Sequence, residues 1–217
     1  MNGVQALLLC CLGGAALAAP CDIYGEAGTP CAAAHSVVRA LFKGYGGALY
    51  ELQRAVDNAT LDIRTRDGFA DVAEHDCFCA AAGDAASAVT SYPPRAACVI
   101  SKIYDQTANE NHLLVAGPAV SNPAFDNPVN ASRHPIRVAG RKAYGAYFET
   151  GMGYRARGTK QVARGNAEET IYMVTSGVHT NNQCCFGERR AAVPQYVRTR
   201  CTLIPPVATL PACAVIL

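Results

Sequence analysis

The chain has 217 residues, with 19 basic and 17 acidic side chains and a formal net charge of +2. This charge is too small to indicate a nucleic-acid partner or an anionic membrane surface. Half of the residues are hydrophobic and 17% are charged, which excludes a disordered chain, a coiled coil and a polytopic membrane protein. The length suits one medium domain or two small ones.

The N-terminal residues have the pattern of a secretory signal. Residues 6–12 read ALLLCCL, and the small-residue pattern Ala16-Leu17-Ala18 follows. An apolar core before such a pattern is typical of a signal peptide. The run is shorter than the ~20 residues of a membrane-spanning helix, and no other run approaches that length. We therefore predict a signal peptide over residues 1–19 and a secreted, extracellular, monomeric protein with no membrane partner.

Nine cysteines follow the predicted signal, and an exported protein is expected to pair most of them in disulfide bonds. They are Cys21, Cys31, Cys77, Cys79, Cys98, Cys184, Cys185, Cys201 and Cys213. Their spacing is not that of a zinc site, so we expect no metal and no cofactor. Two glycosylation sequons, at Asn58 and Asn130, fit a secreted surface.

The residue pattern in the first third of the chain after the predicted signal indicates a mixture of short helices, strands and loops. Residues 21–31 form a Cys-bounded loop, bent by glycines and a proline. Apolar residues that recur at three and four positions from Ala33 predict a short helix, and the LYELQRA segment predicts a strand. Residues 60–64 alternate as a strand does, whereas residues 71–79 fit a helical turn or a loop.

Short strands separated by turns dominate the rest. Residues 80–97 have the composition of an exposed loop, and CVISKIY after them predicts a strand. Residues 105–111 are a polar turn, residues 137–148 hold two strands around Gly140, and residues 170–175 hold another. This pattern predicts an all-β sandwich. From Gly187 onwards no strand pattern is visible, and we expect the tail to be unstructured.

No local motif identifies a catalytic centre. The Gly-x-Ser-x-Gly elbow of serine hydrolases and the phosphate-binding P-loop are both absent. A pair of carboxylates would be typical of a glycosidase, but sequence alone does not select two that face each other. The acids considered are Asp22, Glu26, Asp105, Asp126, Glu149 and Glu168.

The adjacent cysteines Cys184 and Cys185 are the most specific feature. Each could pair elsewhere, or the two could form a vicinal disulfide. A trans peptide sets neighbouring Cα atoms closer than the usual disulfide span, so a vicinal bridge is strained. Such strain is concentrated at ligand sites, where the sulfur surface could support a small ring.

Four long stretches resemble the N-terminal part of the catalytic domain of glycoside hydrolase family 54, a family of fungal α-L-arabinofuranosidases. The stretches begin CDIYGEAGTPC, CVISKIYDQ, GRKAYGAYF and TIYMVTSGV, and they occur in order between Cys21 and Phe186. The resemblance implies a concanavalin-like β-sandwich over residues 20–186. It also implies a secreted, retaining enzyme that releases terminal arabinofuranose from arabinan and arabinoxylan, polysaccharides of the plant cell wall.

The resemblance implies three disulfide bonds: Cys21–Cys31, Cys79–Cys98 and Cys184–Cys185. In the family the vicinal pair packs against the arabinose ring, which assigns Cys184 and Cys185 to substrate binding. The nucleophile Glu and the acid/base Asp of the family both lie beyond Phe186. No Asp or Glu follows Glu188 here, so we name no catalytic residue in this chain.

Residues 187–217 do not resemble the family, and we expect an unrelated tail produced by a read-through intron or a frameshift. Three readings follow. The first is an arabinofuranosidase that is truncated before both catalytic acids and inactive as written. The second is a non-catalytic arabinose-binding or cell-wall interaction protein, and the third is a non-functional fragment.

Overall fold

A computed structural model of the chain describes residues 19–81, 97–118, 125–149 and 151–175, together with the backbone of Cys213–Ile216. The helices are α1 (Pro20–Glu26) and α2 (Val72–Ala80). The strands are β1 (Cys31–His35), β2 (Ala48–Arg54), β3 (Thr60–Arg66), β4 (Phe69–Ala70), β5 (Cys98–Ile103), β6 (Leu113–Val115), β7 (His134–Val138), β8 (Arg141–Gly145), β9 (Tyr154–Arg155), β10 (Thr170–Met173) and β11 (Cys213–Ile216). The all-β prediction is confirmed. No helix in the described ranges has the length and apolar character needed to cross a membrane.

The largest layer is a six-stranded antiparallel sheet in the order β4-β3-β2-β5-β6-β9. At its centre Leu52 lies opposite Leu61 on one side and Ile100 on the other. Leu52, Ile63 and Ile100 are almost completely buried on one face. Alternation of apolar and polar residues along these strands produces that buried face, as the sequence predicted.

The β7–β8 hairpin forms the second layer over this face. Its turn is Ala139-Gly140, and both residues have positive φ angles of 49° and 77°. Two successive positive φ angles give a turn whose twist matches that of the hairpin strands. Ala143 is buried against the sheet, and Ile136 and Val138 pack beside it. The core therefore lies between the sheet and the hairpin.

A separate three-stranded sheet is parallel, in the order β1-β11-β10. In its register Cys213 lies beside Cys31 on one strand and beside Thr170 on the other. β11 belongs to the tail that we expected to be unstructured. Its CAVI sequence contains two β-branched residues, which favour extended backbone between two strands. The rest of the tail lies outside the described residues.

The N-terminal segment differs from the prediction in two places. Residues 21–31 were expected to be a loop, but Pro20 begins α1, because its fixed φ suits the first helical position. The predicted helix after Ala33 is wrong. Ser36 Oγ accepts hydrogen bonds from the N–H groups of Val38 and Arg39, and the Val38 carbonyl accepts one from Ala70. These bonds replace helical pairing, and the apolar residues enter the core instead.

The other predicted elements agree with the structure where it describes them. LYELQRA is β2, the segment from Thr60 is β3, and CVISKIY is β5. The two strands around Gly140 are β7 and β8, and the strand at Thr170 is β10. Residues 71–79 form α2, which Asp71 caps by accepting a hydrogen bond from the N–H of Glu74. Most of the predicted loop at 80–97 lies outside the described residues.

The segment 105–111 is an ordered core element rather than a surface turn. Asp105 is buried, and its carboxylate accepts hydrogen bonds from the N–H groups of Ala34, Thr107 and Asn111 and from the Thr107 hydroxyl, at 2.7 to 3.0 Å. The Asn111 side chain donates to the carbonyls of Ala32 and Lys160. This segment therefore fastens β1 to the chain near residue 160.

Candidate functional site

The predicted sugar-contacting residues Cys184 and Cys185, and Phe186 beside them, lie outside the described residues. The structure contains the disulfides Cys21–Cys31 and Cys79–Cys98, each with a Cα–Cα distance of 5.6 Å. These are two of the three pairs that the resemblance implies. Cys77 is an exposed free thiol on α2.

The two sequon asparagines have different surroundings. Asn58 is exposed in the turn between β2 and β3, with a positive φ of 59°. Asn130 is half-buried, and its side-chain oxygen accepts a hydrogen bond from the N–H of Ser132. Both lie outside the buried core, which leaves their use as glycosylation sites a prediction.

Among the six acids that the sequence brought forward, Asp22, Asp105 and Glu149 have structural partners. Asp22 accepts a hydrogen bond from the N–H of Lys43 at 2.8 Å, and Asp105 is the buried acceptor described above. Glu149 lies 3.6 Å from the guanidinium of Arg133. These roles are those of turn-capping and paired surface acids, and they give no support to a catalytic pair among them.

A carboxylate pair that the sequence analysis missed lies on the outer face of the sheet. Glu51 and Asp62 lie directly opposite each other on β2 and β3. Ser101 and Lys102 bind Glu51 at 2.6 and 3.4 Å, and the Tyr104 hydroxyl donates to Asp62 at 2.6 Å. The register of two strands, which local patterns do not reveal, produces this polar network.

A groove of about 460 Å³, here called the α2–β8 groove, lies among the described residues. Two stretches distant in sequence line it: residues 66–76, from the end of β3 through β4 into the first half of α2, and the start of β8. Its charged and aromatic lining consists of Arg66, Phe69, Asp71, Asp76, Arg141 and Lys142.

Each groove carboxylate is bound by a protein cation. Asp71 caps α2 and pairs with Arg66, whose side chain is 69% exposed. Asp76 accepts hydrogen bonds from Lys142 at 2.6 Å and from the Tyr144 hydroxyl at 2.7 Å. Burial favours a raised pKa for Asp76, but these two hydrogen bonds outweigh it and lower the pKa. Asp76 is therefore an ionised acceptor at neutral pH and a poor general acid.

A buried aromatic cluster supports the wall of the groove. His75 is fully buried and stacks on the Tyr144 ring at 4.5 Å. The buried Tyr50 hydroxyl lies 2.7 Å from His75 Nδ1, and Ser132 Oγ lies 3.1 Å from Nε2. Donation from Tyr50 to Nδ1 leaves the imidazole proton on Nε2, facing Ser132, so all three groups are satisfied. Burial lowers the pKa of His75 to about 4.

These features suit binding rather than catalysis. The groove offers exposed guanidinium and ammonium donors beside an aromatic ring, while its carboxylates are ionised and paired. In the part of the chain that the structure describes, no three His, Cys, Asp or Glu side chains come together as a metal site. The groove thus has the composition of a binding surface for a polar ligand.

Comparison with known proteins identifies the family. The family model described as "Alpha-L-arabinofuranosidase B, catalytic" matches residues 20–193, which extends beyond Phe186 into the tail. A probable alpha-L-arabinofuranosidase B of Aspergillus flavus is 40% identical over 182 residues, covering 81% of this chain and 33% of the relative. An alpha-L-arabinofuranosidase of Hypocrea jecorina is 41% identical over 183 residues, covering 82% of this chain and 34% of the relative.

The solved structures that resemble the chain are also arabinofuranosidases. A GH54 arabinofuranosidase soaked with a cyclic sulfate inhibitor has a TM-score of 0.57 at 39% identity, covering 69% of this chain and 29% of that one. An arabinofuranosidase in complex with arabinofuranosyl-α-1,2-xylobiose has a TM-score of 0.56 with the same identity and coverage. This chain spans about a third of the length of the sequence relatives it matches. With its match over residues 20–193, the chain belongs to glycoside hydrolase family 54, the α-L-arabinofuranosidase B catalytic-domain family.

Proposed function

We propose that this chain is the N-terminal part of a secreted, retaining α-L-arabinofuranosidase that acts on arabinan or arabinoxylan of plant cell walls. The observation that carries the proposal is the family match over residues 20–193, supported by 40% identity to arabinofuranosidases. The relative bound to arabinofuranosyl-xylobiose indicates the substrate class, an arabinofuranose attached to a xylan backbone.

Retaining hydrolysis needs one carboxylate that attacks the anomeric carbon and a second group that protonates the leaving oxygen. Neither is identified in this chain. By resemblance both family acids lie beyond Phe186, where only Glu188 is acidic. Among the described acids, Asp71 and Asp76 are paired with cations, Asp105 is buried, and Asp76 has a lowered pKa. We therefore expect the polypeptide of these 217 residues to have no hydrolase activity.

The proposal includes a vicinal disulfide between Cys184 and Cys185 as the surface on which the arabinose ring rests. A rigid sulfur surface buries one face of a small ring without hydrogen bonds of its own. The resemblance is the support for this role. Secretion with a signal peptide over residues 1–19 is part of the same proposal, and the two disulfides of the structure support it.

Hydrolysis is tested with the purified chain on p-nitrophenyl α-L-arabinofuranoside. A full-length arabinofuranosidase relative serves as the positive control in the same buffer. We expect no release of p-nitrophenol above the buffer rate. Clear turnover by this chain would show that it contains a working acid pair and would refute the truncation argument.

A second candidate function, arabinose binding without hydrolysis, is favoured by the absence of any Asp or Glu after Glu188. Calorimetric titration with L-arabinose tests it on the same preparation. We expect binding that is lost in a Cys184→Ala/Cys185→Ala variant and kept in Cys77→Ala, which removes an exposed thiol. Equal binding by the two variants would remove the vicinal pair from the site.

A further inference from the structure

The α2–β8 groove is lined by three cations that are each paired with a carboxylate, and its two arginines keep donors that these pairs do not use. Arg66, Arg141 and Lys142 line it against two carboxylates. The Arg66, Arg141 and Lys142 side chains are 69%, 49% and 47% exposed, and the two lining carboxylates, Asp71 and Asp76, are 9% and 42% exposed. Solvent therefore reaches all three cations and one of the two lining carboxylates, Asp76.

The two arginines keep free donors. A guanidinium has five N–H donors in a planar fork. The contacts of Arg66 and Arg141 with Asp71 and Asp67 each use one terminal nitrogen, and the Arg141–Asp67 distance is 3.4 Å. Arg141 also lies over the Phe69 ring, 5.1 Å from its centroid. A cation beside the face of a ring is attracted by the ring, and the N–H donors of Arg141 that its ion pair does not use remain available to a planar anion.

A carboxylate is the planar anion that matches such a fork, and it can be bound through two parallel hydrogen bonds. The groove is also lined by the carboxylates of Asp71 and Asp76, which accept hydrogen bonds, and its volume of about 460 Å³ is within the range of small-ligand sites. A ligand that carries one carboxylate and several hydroxyls could bind the guanidinium through its carboxylate and donate hydrogen bonds from its hydroxyls to the groove carboxylates. A uronic acid has this combination.

We propose that the α2–β8 groove binds the carboxylate of a uronic acid residue in an acidic cell-wall saccharide, separately from arabinose binding. The choice of a cell-wall saccharide rests on the proposed function, whereas the need for a carboxylate comes from the groove itself. The site is open to solvent, and exposed ion pairs are weak. The dissociation constant is therefore expected on the order of 1 mM or somewhat below, and to rise with salt.

The test is calorimetric or NMR titration of the full chain with trigalacturonate, its uncharged methyl ester, xylotriose and sodium sulfate. The expected result is saturable binding of trigalacturonate, with much weaker binding of the ester and of xylotriose. Sulfate that binds as tightly as trigalacturonate would reduce the groove to a general anion site and overturn the saccharide assignment. No binding of trigalacturonate up to about 10 mM would overturn the proposal altogether.

Two groove variants and one matched control locate the site. Arg141→Gln and Arg66→Gln remove the forks from different elements and should each weaken trigalacturonate binding about fivefold. Arg137→Gln makes the same charge change on the same hairpin, outside the groove, and should leave binding unchanged. Equal losses in all three variants would show a non-specific charge effect and refute the site.

Circular dichroism of each variant shows whether it is folded. The two groove variants lie on β3 and β8, so one can be read if the other fails to fold. If both variants fail to fold while the wild type binds trigalacturonate, free glucuronate is added to the wild-type complex as a competitor. Displacement of trigalacturonate by glucuronate supports the carboxylate site, and no displacement refutes it. None of these readouts involves arabinofuranoside hydrolysis, so the proposed function stands or fails separately.

Discussion

Replacing His75 with glutamine should remove a large part of the acid sensitivity of this fold. His75 is fully buried between the Tyr50 hydroxyl, the Tyr144 ring and Ser132. Glutamine can still accept from Tyr50 and donate towards Ser132, but it has no group that takes up a proton in this range. The charged groups facing the ring are Asp76 and, beyond it, Lys142.

The magnitude follows from the pKa of His75 in the two states. In the folded chain burial lowers it to about 4, whereas an unfolded histidine titrates near 6.5. Because the folded pKa is the lower one, the unfolded chain binds more protons between these values, and stability falls as the pH falls from about 6.5 towards 4. At pH 5 the loss relative to pH 7.5 is about 2 kcal/mol from this residue alone.

Urea unfolding at pH 7.5 and pH 5, followed by circular dichroism, measures the effect. At pH 7.5 we expect His75→Gln to be less stable than the wild type, because it loses the stacked ring. At pH 5 the difference in the free energy of unfolding between wild type and His75→Gln should be smaller by about 2 kcal/mol. Ser132→Ala is the control, since it deletes one hydrogen bond but keeps the imidazole, and it should keep the wild-type pH dependence. An unchanged gap between His75→Gln and wild type at the two pH values would refute the reasoning.

Two further predictions concern the core and a crosslink. Asp105→Asn replaces a carboxylate oxygen with an amide donor that faces backbone N–H donors, and it should lower the free energy of unfolding by about 2–4 kcal/mol. The control is Asp67→Asn, at a side chain that is 73% exposed, and it should change the free energy of unfolding by less than about 0.5 kcal/mol. A similar urea midpoint for both would contradict the buried role of Asp105. Cys79→Ala/Cys98→Ala opens a link with a sequence separation of 19 and should cost about 3 kcal/mol, while exposed Cys77→Ala should be neutral. Thermal unfolding of the two variants measures the difference, and equal midpoints would contradict a stabilising contribution of the Cys79–Cys98 bridge.

Local pattern predicted strands whose side chains alternate on their own, whereas β1, β4, β6, β9 and β11 were not predicted. β2, β3 and β5 have this property, and their alternation is visible without any knowledge of their neighbours. The predicted helix after Ala33 failed for a related reason. Apolar residues at three and four positions indicate a helix, but a buried irregular segment with side-chain acceptors produces the same spacing.

The groove and the buried Asp105 could not be predicted, because they depend on contacts between distant residues. Residues 66–76 and 141–142 meet only after the hairpin has packed on the sheet. Polarity made residues 105–111 look like a surface turn, whereas their side chains replace missing backbone partners of β1. The two described disulfides came from the family resemblance and not from cysteine spacing, which leaves many pairings open.

The fastening of β1 by residues 105–111 has a consequence for how the chain tolerates insertions and proteases. A polar segment between two strands is ordinarily where a tag or a cleavage site can be placed. Here an insertion would separate Asp105 from Asn111, whose side chains hold the backbone of β1 in place. The exposed turn at Ala139-Gly140, bonded only within its own hairpin, is the better place for an epitope tag. In related sequences we likewise expect insertions at the hairpin turn rather than within residues 105–111.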